Sequence, residues 1–229
     1  MSGNDPARSF FDAIAGRYDR VYALAGAESR ARMERVLREL PAPPARVLDL
    51  GVGTGRELPA LLDAGYSPTG VDASEEMIAR CARRSRPVPL VLADFWQRLP
   101  FEDACFDAAV ALHGTLAHPP DATAVARLAG EIARLVRPGG VWVSETPAPA
   151  WLDRLEVLEA ARATRGPGEA RIRRTGPRTC LYEDLVVGAS IEACVLDASD
   201  WRAALGDAWS TRVEPLGELE WLVVAHRSR

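Results

Sequence analysis

The chain has 229 residues, 48% of them hydrophobic, and a formal net charge of −4 from 28 basic and 32 acidic side chains. That length holds one domain with a sizeable core. The mild acidity makes a nucleic-acid partner unlikely, since phosphate-backbone binders carry a basic surplus.

In chain order, residues 8–25 predict an amphipathic opening segment, and a second helix over 27–40 ends at Pro41-Ala42-Pro43-Pro44. Strands near 46–50, 67–71, 88–93, 105–111 and 140–145 then alternate with helices near 55–64, 75–84, 121–137 and 149–163. Alternation of this kind predicts an α/β fold, a parallel sheet doubly wound by helices on both faces. Such sheets bind ligands beyond the carboxyl ends of their strands, where Asp49, Asp72, Asp94 and His113 all fall. Arg165-Gly166-Pro167-Gly168 and Arg173 to Pro177 read as a basic, turn-rich mobile loop. Leu181 to Leu196 alternates enough for one or two strands, and 200–205 makes a short helix. Trp209 to Pro215 with Glu218 to His226 reads as a closing hairpin.

Four cysteines lie scattered without Cys-x-x-Cys spacing, which predicts reduced, buried thiols and no metal site. No run of 18 apolar residues occurs, and the start of the chain lacks a signal pattern, so a cytoplasmic protein without a membrane partner is expected.

The most informative stretch is Arg46-Val47-Leu48-Asp49-Leu50-Gly51-Val52-Gly53-Thr54-Gly55. Alternating glycines after a buried strand let the backbone turn sharply and approach a ligand where a Cβ would clash. The amides at the start of the following helix then face that ligand. Asp72 closes the next strand 21 residues after Gly51, where a carboxylate can accept both hydroxyls of a ribose. A dinucleotide fingerprint would need glycine where Arg56 stands, and the absence of any lysine excludes a P-loop. These residues predict a nucleoside-cofactor site.

Val47-Leu48-Asp49-Leu50-Gly51-Val52-Gly53-Thr54-Gly55 resembles motif I of the class I S-adenosylmethionine-dependent methyltransferases. Four further segments agree in order and spacing: 69–77, 91–95, 105–110 and 135–140. The resemblance covers residues 10 to 146 well and the last third loosely. It implies a Rossmann-like, seven-stranded, mostly parallel sheet with a terminal antiparallel hairpin. It also implies one domain over 1–229: a helical lid (1–45), a cofactor-binding core (46–146) and an acceptor-side C-terminal part with the closing hairpin (147–229).

The resemblance implies that Gly51, Gly53 and Gly55, with Thr54, pass under the methionine part of S-adenosylmethionine, and that Asp49 holds its amino end. It makes Asp72, followed by Ala73, the ribose-binding acid, although Asp72 could instead cap the next helix, a place better suited to Ser74. Asp94 and Phe95 match the pair that reads the adenine, and Met77 either packs on that ring or belongs to the core. Phe10, Phe11 and Tyr18 match an opening that folds over the cofactor as a lid; the alternative is a plain helix with its aromatics in the core. Leu112, His113 and His118 end the fourth strand beside the expected sulfonium. His113 is placed to act as a base or to orient the acceptor, whereas His118 is either catalytic or structural.

Methyl transfer mostly needs two reactants held close in a dry pocket, and a base only where the acceptor must first lose a proton. Residues 113–120, His-Gly-Thr-Leu-Ala-His-Pro-Pro, lack the motif that positions a nucleic-acid base amino group. The reading is therefore transfer to an oxygen or nitrogen of a small molecule by a monomer or dimer. An RNA- or protein-directed methyltransferase, a non-catalytic cofactor-binding module and, least of all, a nicotinamide enzyme remain as alternatives.

Overall fold

A computed structural model describes residues 5–22, 26–84, 86–155 and 169–229. Helix α1 (Pro6–Ile14) starts on Asp5, whose carboxylate accepts the Ala7 N–H at 3.0 Å, with proline at the first helical position. The single opening segment read over 8–25 divides here. Residues 15–17 break it, and a short α2 (Tyr18–Val21) follows. Helix α3 (Gly26–Glu39) leads to β1 (Arg46–Leu50), α4 (Leu58–Asp63), β2 (Ser67–Asp72), α5 (Glu75–Arg84), β3 (Leu90–Leu92) and β4 (Phe106–Ala111). Then come α6 (Ala124–Leu135), β5 (Val136–Pro147) and α7 (Pro149–Asp153). The rest of the helix read over 149–163, from residue 156 on, and the loop at 165–168 lie outside the described residues.

Seven strands form the main sheet in the order β3-β2-β1-β4-β5-β10-β9. The first five are parallel, whereas β10 (Glu220–Arg227) runs antiparallel to both β5 and β9 (Trp209–Pro215). The closing hairpin thus takes the sheet's far edge. Strand order reverses direction between β1 and β4, and a crevice opens at such a switch point. Alternation along β1 sends Leu48 and Leu50 into a core with Trp142 and Trp201, and Val47 into a second core on the other face with Val36, Leu61 and Val143. Both faces are covered by helices, so β1 is buried at four of its five positions.

In the last third the structure holds the two strands read over 181–196 and adds a third before them. Strands β6 (Ala170–Arg174), β7 (Thr179–Asp184) and β8 (Ala189–Cys194) form a separate antiparallel sheet. The stretch read as loop from Arg173 includes the end of β6. In Ala-Arg-Ile-Arg-Arg only Ile172 is fully buried, with Ala170 half-buried on the same face, so the strand shows little apolar pattern among its arginines. This sheet packs its inner face, with Ile172, Tyr182 and Ile191, on Phe10 and Ile14 of α1 and on Met77 of α5. The last helix, α8 (Ala198–Leu205), carries a reciprocal cap between Asp197 and Asp200 and sends Trp201 into the main core. Among the described residues no helix is long and apolar enough to cross a membrane.

Candidate active site

The turn after β1 and the ends of β2, β3 and β4 surround a cavity of about 120 Å³ roofed by α1 and α2. Gly51 has φ +64°, and a Cβ there would lie 2.5 Å from the Thr115 methyl, so glycine lets the turn and the segment after β4 meet. The Gly53 N–H donates to Asp72 Oδ2 at 2.8 Å, and the Ser74 N–H donates to Asp72 Oδ1 at 2.8 Å. Each carboxylate oxygen keeps a second lone pair for a ligand. Burial raises the Asp72 pKa even though these amides pull the other way. The cap of α5 is Ser74, whose Oγ accepts the Met77 N–H at 3.1 Å.

Ala73, Met77, Asp94 and Phe95 line this cavity. Met77 is 1% exposed and belongs to the roof cluster as well, so both of its readings describe one position. Asp94 accepts the Trp96 N–H at 2.9 Å, and the Phe95 and Trp96 rings sit 5.0 Å apart. Beyond Gly51, a small recess is lined by Asp49, Gly53, Thr54, Leu112 and His113. Asp49 is 2% exposed, and its Oδ2 has no hydrogen-bond partner among the described residues. Burial, followed by the charges of Glu57 and Asp72, raises its pKa well above the usual carboxylate range. A cation placed there would relieve it.

Polar contacts fasten the roof on both sides. Ser74 Oγ donates to Asp12 at 2.6 Å, Thr54 Oγ1 donates to Asp19 at 2.7 Å, and Arg17 donates to Asp184 at 3.0 Å. Thr54 thus holds α2 with its hydroxyl as well as lining the recess. Of the three opening aromatics, Phe11 and Tyr18 line the cofactor-side cavity. Phe10 does not; it is 2% exposed and packs edge-on against Tyr182. Tyr18 is itself held neutral, chiefly by burial and then by Glu57.

His113 follows β4 with φ +55°, a conformation costly for a residue with a Cβ. Its Nε2 contacts Glu57 Oε1, and its Nδ1 lies 3.9 Å from Glu145 Oε2. Burial opposes the imidazolium, but Glu57 and then Glu145 outweigh it, and the pKa rises above the ordinary value despite Arg56 nearby. Burial also opposes the Glu57 anion, and His113 reverses that, so Glu57 lies below its usual range. His118 behaves oppositely: burial lowers its pKa, and its Nδ1 meets the Glu192 carbonyl at 2.7 Å. A carbonyl only accepts, so Nδ1 carries the proton and the ring is a neutral wall packed on Phe11.

A second cavity of about 220 Å³ adjoins the first and shares Tyr18, Tyr22, His113, Gly114 and His118 with it. The sequence reading missed its other lining groups: Arg32, Arg56, Glu145 and Glu220, with Trp151 and Tyr182. Arg32 donates to Glu145 at 2.5 Å and pairs with Glu220 at 3.0 Å, bringing α3, β5 and β10 together. No spacing in the sequence announces that convergence. Glu57 did carry a signal, an acidic residue opening the helix after the glycine turn.

A family model described as a methyltransferase domain matches residues 47–140. The demethylmenaquinone methyltransferase of Corynebacterium kroppenstedtii is 39% identical over 177 residues, which cover 75% of this chain and 73% of that protein. This chain belongs to the class I S-adenosylmethionine-dependent methyltransferases. Another relative of this methyltransferase, the demethylmenaquinone methyltransferase of Beutenbergia cavernae, is 38% identical over 144 residues and matches 62% of the chain. The chain spans 58% of that relative's length. The fold of the methyltransferase matches that of DhpI in its SAH complex with a TM-score of 0.69, over 99% of both chains at 21% identity.

The residues present fit S-adenosylmethionine. An unpartnered buried carboxylate suits its ammonium group, a doubly amide-fixed Asp72 suits a ribose, and the glycine turn leaves backbone where side chains would intrude.

Proposed function

We propose that this methyltransferase acts on an oxygen or nitrogen atom of a small organic molecule held in the cavity beside His113. The observation that carries this reading is the cavity itself, about 220 Å³ between the roof sheet and the end of β5, adjoining the glycine-turn cavity and with Tyr22, Trp151 and Tyr182 among its walls. The named substrates of the two relatives, demethylmenaquinone in each, are small molecules too.

When bound, the cofactor supplies an electrophilic methyl group on a sulfonium. In this reading Asp49 takes its amino end, and Gly51, Gly53, Thr54 and Gly55 present backbone along its methionine part, with Leu112 beneath. Asp72 and Ala73 face the ribose, while Met77, Asp94 and Phe95 surround the adenine. Tyr18 and Phe11 close the site and exclude water, which strengthens every charge interaction inside it. His113, pinned by Glu57, faces the acceptor and orients it; it takes a proton on Nδ1 only above its raised pKa. His118 forms a neutral side wall. The chain acts as one domain, with residues 1–45 covering the site, 46–146 holding the cofactor and 147–229 completing the acceptor side.

Incubation with methyl-labelled S-adenosylmethionine and a bacterial extract, followed by separation by size, tests the reading. Label in the small-molecule fraction, lost in the Asp72→Ala variant, is the expected result. Label confined to RNA or protein would overturn it.

A further inference from the structure

The charges in the acceptor cavity do not cancel evenly. Arg32 is shared between Glu145 and Glu220, and His113 is held by Glu57. Arg56 also lines the cavity, yet among the described residues no carboxylate lies within ion-pair distance of it. Among the described residues its one hydrogen bond runs from Nη1 to the Tyr22 carbonyl at 2.9 Å, with four further N–H groups in a rigid fork. That fork matches a carboxylate better than any other common ligand group, and partial burial strengthens the attraction.

The Tyr22 bond also fixes where the fork stands. The Tyr22 ring lies 4.8 Å from the Tyr18 ring and 6.0 Å from the Tyr182 ring, with interplanar angles of 36° and 37°. Three tilted rings side by side make a wall on which a flat ring can stack. The same cavity is lined by Arg56 and His113, so a flat ring on this wall shares it with both.

We propose that Arg56 binds a carboxylate carried by a planar aromatic methyl acceptor. The proposal rests on the acceptor-cavity reading above and adds the substrate class to it. Arg56 also borders the recess around Asp49, so the carboxylate could instead be the cofactor's own, and the test separates the two.

Protein saturated with S-adenosylhomocysteine is titrated calorimetrically with benzoate, benzyl alcohol and benzylamine, and Arg56→Gln is titrated with the same probes and with S-adenosylhomocysteine. Benzoate is expected to bind at least about tenfold more tightly than the other two, the size of one charge-assisted contact. Arg56→Gln should abolish that preference while changing S-adenosylhomocysteine affinity less than about threefold. Equal binding of the three probes by the wild-type protein overturns the proposal, and needs no variant. A preference that survives Arg56→Gln overturns it as well. Loss of S-adenosylhomocysteine affinity with benzoate binding intact would assign Arg56 to the cofactor and overturn the acceptor role. Failure of wild-type protein to bind S-adenosylhomocysteine at all would instead remove the reading on which the proposal stands, and the proposal with it.

Discussion

In the proposed site, Asp49 is a residue that weakens the ligand-free fold where it would serve binding. Its burial, together with Glu57 and Asp72, disfavours the anion in the ligand-free chain. A raised carboxyl pKa destabilises the folded state above the ordinary value and stops doing so as pH falls below it. Asp49→Asn is therefore expected to stabilise the ligand-free protein at pH 7 by about 0.5–2 kcal/mol and to weaken cofactor binding. Thermal melts paired with calorimetry check both signs, and a stabilised variant with undiminished affinity would remove Asp49 from the site. Asp72→Ala should cost about 2–3 kcal/mol of S-adenosylhomocysteine binding, because two charge-assisted bonds are lost. The His113–Glu57 pair contributes to stability with the opposite sign to Asp49. The Glu57 contribution to stability is present above its ordinary pKa and lost as pH falls through its lowered value. The His113 contribution is complete below its ordinary pKa and lost as pH rises through its raised one. His113→Ala should thus cost about 1–3 kcal/mol near pH 6 and progressively less toward pH 9. If His113 also takes the acceptor proton, the activity limb it controls lies above the imidazole value that the sequence alone would suggest.

At the scale of elements, the glycine turn, Asp72 and the five parallel strands were legible in the sequence because each depends on local chemistry: φ at a turn, a strand's apolar run, a residue at a strand end. The roof was not. Its strand β6 shows only Ala170 and Ile172 among arginines on its inward side, and the sheet meets the opening segment through residues far apart in the chain, as in the 167-residue separation of Arg17 and Asp184. Phe10 and Ile14, one helical turn apart, were a readable sign that this face is buried; of Phe10, Phe11 and Tyr18, the last two face the cavity. Deleting residues 1–20 should therefore leave the two cores of the main sheet, which include none of these residues, but strip the roof cluster of Phe10 and Ile14. The expected outcome is a cooperative but lower melting transition with cofactor binding lost. A milder test is Asp19→Ala, which frees the Thr54 hydroxyl and Arg84. It should speed S-adenosylhomocysteine release by roughly 5–10-fold, the size of one net hydrogen bond, with little change in melting temperature.

Across the whole molecule, the main sheet supplies the switch-point crevice, α1 and α2 cover it, and the second sheet holds them down through Asp184 while walling the neighbouring cavity. A ligand in the crevice should thus tie the strand-end segments of the main sheet and the covering helices into one protected unit. Hydrogen–deuterium exchange with and without S-adenosylhomocysteine measures this directly. The account predicts slowed exchange together at the turn 51–55, the strand-end segments 72–77, 94–96 and 112–118, and the covering segment 5–22. The exposed β7–β8 turn at Leu185, Val186 and Val187 should be unchanged. Protection confined to other surfaces, or none at 51–55 and 72–77, would contradict the account.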